Sequence, residues 1–193
     1  MFPFLLVGVQ NFLDEIGQTF QFTPPGKNRV AWIDSPHFDR RPEGSPIDTI
    51  VLHHTAGSTT EGCVKWFTMP ESRVSSHYVV GKDGSIVQMV STYDRAWHAG
   101  VSQDRDGRTN VNHFSVGIEI VNKGDGSEPY TEDQLEAVEH LVFAIMVRHD
   151  IKQIVSHEYI ANPQGRKNDP INFPWERMKR FGVPLYYGRR DAK

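Results

Sequence analysis

The sequence lacks several features that would reveal its class at once. Cys63 is the only cysteine among 193 residues, so no disulfide can form within the chain and cysteine does not reveal the redox compartment. No lysine or arginine precedes Lys27, so the apolar residues 1–9 lack the charged start of a secretory signal, and they are too few to span a membrane. The net charge of −3 gives no indication of a basic surface that would bind nucleic acid or an anionic membrane. No His-Glu-x-x-His motif occurs, which argues against the common metalloprotease site.

Composition and length divide the chain into three predicted regions. Apolar residues at helical spacing and a following Pro- and Gly-rich stretch predict an N-terminal helix or arm and an extended lead-in over residues 1–46, with a targeting peptide as the alternative. Residues 47–180 form the functional domain, and residues 181–193 form a short basic tail. A chain of this size buries roughly two thirds of its unfolded surface, so we expect a stable monomer.

The pattern of apolar residues predicts an α/β fold. An unbroken apolar run predicts a buried strand over residues 48–54, and Thr131 with Gln134 forms a capping box that opens the clearest helix. The remaining predicted elements are a helix over 60–67, a hairpin of 76–80 and 85–90, and strands over 114–122 and 151–155. We therefore expect a single domain with a central mixed β-sheet flanked by α-helices.

Three separated segments carry residues that bind metals. His53 and His54 end one predicted strand, His157 ends another, and Asp169 follows in a loop. Ligand sites of open α/β sheets gather at the carboxyl ends of strands, and zinc binds imidazole nitrogen and carboxylate oxygen. A single histidine can equally be a buried residue with satisfied hydrogen bonds, but the three segments together predict a zinc site at one edge of the sheet.

Three further histidines and one carboxylate lie outside these segments. His37 is expected to face solvent, while His140 and His149 are expected to be surface or packing residues. Glu119 is the one carboxylate in an otherwise apolar strand, and alternation places it on the same face as Gly117. The small Gly117 is predicted to leave room for substrate beside that carboxylate.

Several motifs resemble type 2 N-acetylmuramoyl-L-alanine amidases, which share their fold with phage lysozyme-type amidases and peptidoglycan recognition proteins. The resemblance covers about residues 47–175 and follows the order of the family. The matching motifs are IVLHHTAG at 50–57, SHY and KDG at 76–84, WHAG at 97–100, NHFSVGIE at 112–119, and His157 with KNDP at 167–170.

The resemblance implies a role for individual residues. His53, His157 and Asp169 are the implied zinc ligands, whereas His54 takes a position that varies in the family. Glu119 matches the catalytic glutamate, and Lys167 matches a lysine that stabilises the oxyanion. The implied substrate-binding residues are Trp97, His98 and Asn112.

The implied activity is zinc-dependent hydrolysis of the amide between the lactyl group of N-acetylmuramic acid and L-alanine. Peptidoglycan or a muropeptide would be the substrate, in the cell envelope or after secretion, or else in the cytoplasm as with an endolysin or a recycling enzyme. Two alternatives stay open: a peptidoglycan-binding module of the same fold, and a zinc hydrolase acting on another amide.

Overall fold

The computed structural model describes residues 6–8, 26–27 and 29–190, which form ten strands, three α-helices and two 3-10 helices. The strands are β1 (Leu6–Gly8), β2 (Val30–Trp32), β3 (Phe38–Arg40), β4 (Thr49–His54), β5 (Tyr78–Val80), β6 (Ile86–Gln88), β7 (Asp94–Ala96), β8 (Ser115–Ile120), β9 (Gln153–Ser156) and β10 (Leu185–Tyr186). The α-helices are α1 (Thr60–Thr68), α2 (Glu132–Arg148) and α3 (His157–Ile160), and the 3-10 helices are Val111–His113 and Trp175–Phe181.

Eight strands form one sheet in the order β1-β2-β6-β5-β8-β4-β9-β10. All neighbours run parallel except β5 and β6, which form the predicted antiparallel hairpin. Strands β3 and β7 pair separately and antiparallel. The predicted α/β domain with a mixed sheet is therefore confirmed.

The two long central strands carry the functional end of the sheet. Every residue of β4 is buried, and β8 is buried except for Glu119, which is only partly so. Ile50 and Leu52 point to the face covered by α2, while Val51 points to the opposite face with Ile160 of α3. Strands covered on both faces need continuous apolar runs, which explains the pattern in β4.

Helix α2 begins as predicted at a threonine cap, but only half of the predicted capping box forms. The Thr131 side chain accepts a hydrogen bond from the Gln134 backbone N–H at 3.2 Å. The Gln134 amide does not return to the cap: its Nε2 donates to the carbonyls of Val121 and Val80 at 2.9 and 3.3 Å. The buried side chain therefore ties α2 to the sheet.

The strands extend beyond the predicted functional domain on both sides. Strand β2 lies in the predicted lead-in and pairs with β1 and β6, and β10 lies in the predicted tail and pairs with β9. Leu6–Gly8 is a strand where the sequence predicted a helix or arm, and the rest of that segment up to residue 25 lies outside the described residues. The division into three regions stays a prediction.

His37 was predicted to face solvent, and this was wrong. The residue is 5% exposed, and its Nε2 lies 2.8 Å from the carbonyl oxygen of Met69. His140 is exposed and His149 is buried, as surface and packing residues should be. Among the described residues, no helix combines the length and the apolar character needed to cross a membrane.

Candidate metal centre and active-site cleft

Three segments deliver one cluster of side chains to the carboxyl ends of the central strands. His53 is the fifth residue of β4, and His157 follows directly after β9, which pairs with β4. Asp169 lies in the loop after α3, where its carbonyl accepts a hydrogen bond from the Glu158 backbone N–H at 2.9 Å. The site therefore combines two ligands set by the sheet with one set by a loop.

The three side chains present one atom each to a common point. His53 Nδ1 lies 3.0 Å from His157 Nδ1 and 3.1 Å from Asp169 Oδ2, and His157 Nδ1 lies 3.0 Å from the same Oδ2. All three residues are buried. Among the residues that the structure describes, these three side chains form a group whose ligand atoms lie close enough together to hold a metal ion.

This arrangement fits a tetrahedral zinc ion. Bonds of about 2.0–2.1 Å place the ligand atoms of a tetrahedral site about 3.3 Å apart. The observed separations of 3.0–3.1 Å are shorter by a few tenths of an ångström, so the ligands need little movement. Two nitrogens and one oxygen leave a fourth position for water or substrate, as in catalytic zinc sites.

The protonation states also suit a cation. Burial and the neighbouring His157 lower the pKa of His53 to about 4, so its ring is neutral at pH 7. Burial alone would raise the pKa of Asp169, but the adjacent imidazole rings of His157 and His53 hold it well below its usual range. A neutral imidazole and an ionised carboxylate are the forms that bind metal.

Glu119 lies beside the metal cluster on the neighbouring strand. It pairs with His53 in the register of β4 and β8 and lines the cleft. Burial and the negative charge of Asp169 raise the pKa of Glu119 to about 8, although the positive charge of Lys167 opposes this. Its buried Oε2 has no hydrogen-bond partner among the described residues, so it can form a hydrogen bond with a molecule bound in the cleft.

The cluster opens into a cleft of about 390 Å³. Trp97 and Lys167, two of the predicted site residues, line it, and Lys167 is exposed. Helix α1 contributes Cys63 and the exposed Trp66 to the wall. Burial raises the pKa of the Cys63 thiol well above its usual range, so this cysteine is not an activated nucleophile.

His98 and Asn112, predicted to bind substrate, both lie next to the metal cluster. His98 is 8% exposed, lines the cleft, and places Nδ1 3.0 Å from His53 Nε2. Asn112 is buried, and its Oδ1 accepts hydrogen bonds from the backbone N–H groups of His98 and Ala99 at 3.1 and 2.8 Å. Asn112 is not among the residues that line the cleft.

Gly117 makes room for an imidazole ring and not, as predicted, for substrate. A Cβ atom at this position would lie 2.5 Å from Cγ of His98 and 2.7 Å from its Nδ1. The Gly117 N–H also donates to Nδ1 of His77 at 2.9 Å, which gives His77 a structural role. A glycine inside a strand often marks such a close approach, so the sequence did carry this signal.

Other contacts behind the cluster were not found from the sequence. The Ala99 carbonyl oxygen lies 3.2 Å from His157 Nε2, and Ser115 Oγ lies 3.2 Å from His98 Nε2. His54 turns away from the cluster, because its Nδ1 accepts a hydrogen bond from the Ile171 backbone N–H at 3.2 Å. A carbonyl group or a serine leaves no pattern that sequence reasoning could connect to a metal.

Known proteins are similar to this chain in sequence. Residues 43–172 match the family model described as N-acetylmuramoyl-L-alanine amidase. The 1,6-anhydro-N-acetylmuramyl-L-alanine amidase AmpD of Haemophilus influenzae is 34% identical over 75% of this chain and 88% of its own length.

Solved structures give the same result. The amidase AmiD from E. coli, in complex with anhydro-N-acetylmuramic acid-L-Ala-D-gamma-Glu-L-Lys, has a TM-score of 0.64, with 33% identity over 75% of this chain and 62% of AmiD. A human PGRP in complex with a muramyl pentapeptide has a TM-score of 0.53 over 79% of this chain and 92% of its own, and at 18% identity it shows the shared fold alone. The chain therefore belongs to the type 2 N-acetylmuramoyl-L-alanine amidase family.

Proposed function

We propose that this protein is a zinc-dependent amidase that hydrolyses the bond between the lactyl group of N-acetylmuramic acid and L-alanine in muropeptides. The observation that carries the proposal is the triangle of His53, His157 and Asp169 with Glu119 beside it in a cleft. Names of the relatives point to muramyl peptides, including 1,6-anhydro forms. Action in the cell envelope or after secretion, with the cytoplasm as the alternative, stays a prediction.

A zinc ion in this site would activate water and polarise the carbonyl group of the substrate. His53, His157 and Asp169 would hold a zinc ion, which lowers the pKa of a bound water from 15.7 to roughly 7 and polarises a carbonyl group. Because the three ligands carry one negative charge between them, the bound ion retains a net positive charge for this task.

Glu119 performs the proton transfers. Its carboxylate accepts a proton from the attacking water while the carbonyl carbon of the lactyl group becomes tetrahedral. The carboxylic acid then donates this proton to the nitrogen of L-alanine as the C–N bond breaks. A pKa raised from 4.5 to about 8 makes the Glu119 carboxylate a stronger base, and the positive charge of Lys167 favours the ionised form that must accept the proton.

The chelator experiment tests this function. Purified protein should release the peptide from a 1,6-anhydro-muramyl peptide, lose that activity with a chelator, and recover it when zinc is added. Intact sacculi serve as a second substrate that distinguishes polymeric wall from small muropeptides. Binding without turnover in the presence of zinc would favour the binding module, and turnover of unrelated amides alone would favour a different hydrolase.

Lys167 is expected to stabilise the oxyanion of the tetrahedral state. It lines the cleft two residues before the ligand Asp169, and its charge reaches Glu119. Lys167→Met should lower kcat by roughly 10²–10³, the usual effect of losing one such donor, and leave zinc content and KM nearly unchanged. Steady-state kinetics and metal analysis test this. Lys167→Arg keeps the charge and should retain more of the rate, whereas a large rise in KM at full kcat would make Lys167 a substrate-binding residue.

A further inference from the structure

We propose that the segment 97–100, held by Asn112, positions the two metal-binding histidines and fixes which ring nitrogen of each faces the metal. The His98 side chain would do this for His53, and the Ala99 carbonyl for His157. The proposal rests on the zinc site proposed above. It gives His98 and Asn112 a positioning role in place of the substrate contact predicted from the sequence.

The arrangement at His157 sets the direction of its hydrogen bond. Its Nε2 lies 3.2 Å from the Ala99 carbonyl oxygen, and a carbonyl oxygen can only accept. The proton of the neutral ring therefore belongs on Nε2, which leaves Nδ1 unprotonated. Nδ1 is the atom that lies 3.0 Å from Asp169 Oδ2 in the metal cluster.

A chain of hydrogen bonds sets the same tautomer at His53. Ser115 Oγ donates its only proton to the Val111 carbonyl at 2.7 Å, so it accepts from His98 Nε2 at 3.2 Å. His98 is thereby protonated on Nε2, and its Nδ1 is an acceptor. That Nδ1 lies 3.0 Å from His53 Nε2, which must donate. The Nδ1 atom of His53 is left free for the metal.

The main chain of the segment is itself fixed. Asn112 Oδ1 accepts from the N–H groups of both His98 and Ala99, so one side chain orients the two residues that contact the metal-binding rings. The absence of a side chain at Gly117 admits the His98 ring, which packs edge-on against His53 with ring centroids 5.1 Å apart. These contacts hold the rings of His98 and His53 in fixed orientations.

Zinc affinity and ring protonation test the proposal directly. His98→Ala and Asn112→Ala should weaken zinc binding by roughly 10- to 100-fold in competition with a chromophoric chelator, the usual cost of losing such partners. His98→Asn places an acceptor oxygen near the position of His98 Nδ1, and Asn112→Asp keeps an oxygen at the position of Asn112 Oδ1. Both variants should therefore recover part of the affinity. Val101→Ala changes an exposed side chain of the neighbouring backbone and should have no effect.

Kinetics and NMR provide the decisive outcomes. At saturating zinc, the His98 and Asn112 variants should regain most of kcat with little change in KM; unchanged zinc affinity with a raised KM would make both residues substrate contacts and overturn the proposal. Nitrogen-15 spectra of the zinc-loaded wild type should show protons on Nε2 of both His53 and His157. A proton on Nδ1 of either ring would overturn it without any variant. Wild-type protein that binds no zinc would refute the proposed function itself.

Discussion

Alanine at any one of His53, His157 or Asp169 should remove most of the bound zinc and nearly all amidase activity. Each residue supplies one of three protein ligands, and their contact atoms lie about 3 Å apart. Two remaining ligands are too few for a catalytic zinc site, which takes three from the protein. Metal analysis of purified variants, with activity on a muramyl peptide, measures both effects.

His54→Ala is the matched control for this prediction. His54 is also a buried histidine of β4, but its Nδ1 accepts from the Ile171 backbone N–H and does not join the cluster. Zinc content should therefore stay near one ion per chain, with some loss of thermal stability. Zinc loss in His54→Ala together with zinc retention in His53→Ala would mean that the wrong histidine of the pair has been assigned.

Glu119→Gln should slow hydrolysis by roughly 10²–10⁴, the usual share of a general base, and retain zinc. The amide has nearly the same shape as the carboxylate but cannot carry the proton from water to the leaving amine. Glu158→Gln is the control, since Glu158 is the carboxyl group that follows His157 in the sequence and does not line the cleft. Turnover of Glu119→Gln near the wild-type rate would exclude the proton-transfer role.

The same substitution should change how the stability of the metal-free protein depends on pH. The pKa of Glu119 is raised from 4.5 to about 8, so between these values the folded chain holds a proton that the unfolded chain has released. Wild-type stability should fall as pH rises from about 4.5 to 8 and level off above it. Glu119→Gln lacks this loss and should gain a few kcal/mol relative to wild type by pH 8. Urea unfolding at several pH values tests this, and a constant difference would contradict the raised pKa.

Much of the fold follows from local patterns in the sequence. The apolar run of β4, the Asp83-Gly84 turn and the Thr131 cap predicted elements that the structure contains. The main-sheet positions of β2 and β10 could not be predicted, because each is a strand of only two or three residues whose pairing depends on distant partners. His37 was misjudged for the same reason, since the carbonyl of Met69 that accompanies its burial is 32 positions away.

In the site, too, residues in recognisable motifs could be predicted, whereas contacts that depend on packing could not. Ligand chemistry at strand ends sufficed to select His53, His157 and Asp169, which lie together. The sequence could not show which contacts each motif residue makes. His98 and Asn112 stand in motifs that resemble functional segments; His98 lines the cleft and packs beside Gly117, whereas Asn112 binds the backbone of His98 and Ala99.

The uneven support of the three ligands has a consequence for metal exchange. His53 pairs with Glu119 in the ladder of β4 and β8, and His157 directly follows β9, so the backbone of both residues is fixed by strands at the centre of the sheet. Asp169 belongs to a loop, and such segments open locally at far lower free energy than a sheet does. Zinc should therefore enter and leave by the Asp169 side, and the dissociation rate of the ion should follow the opening of that loop and not the unfolding of the domain.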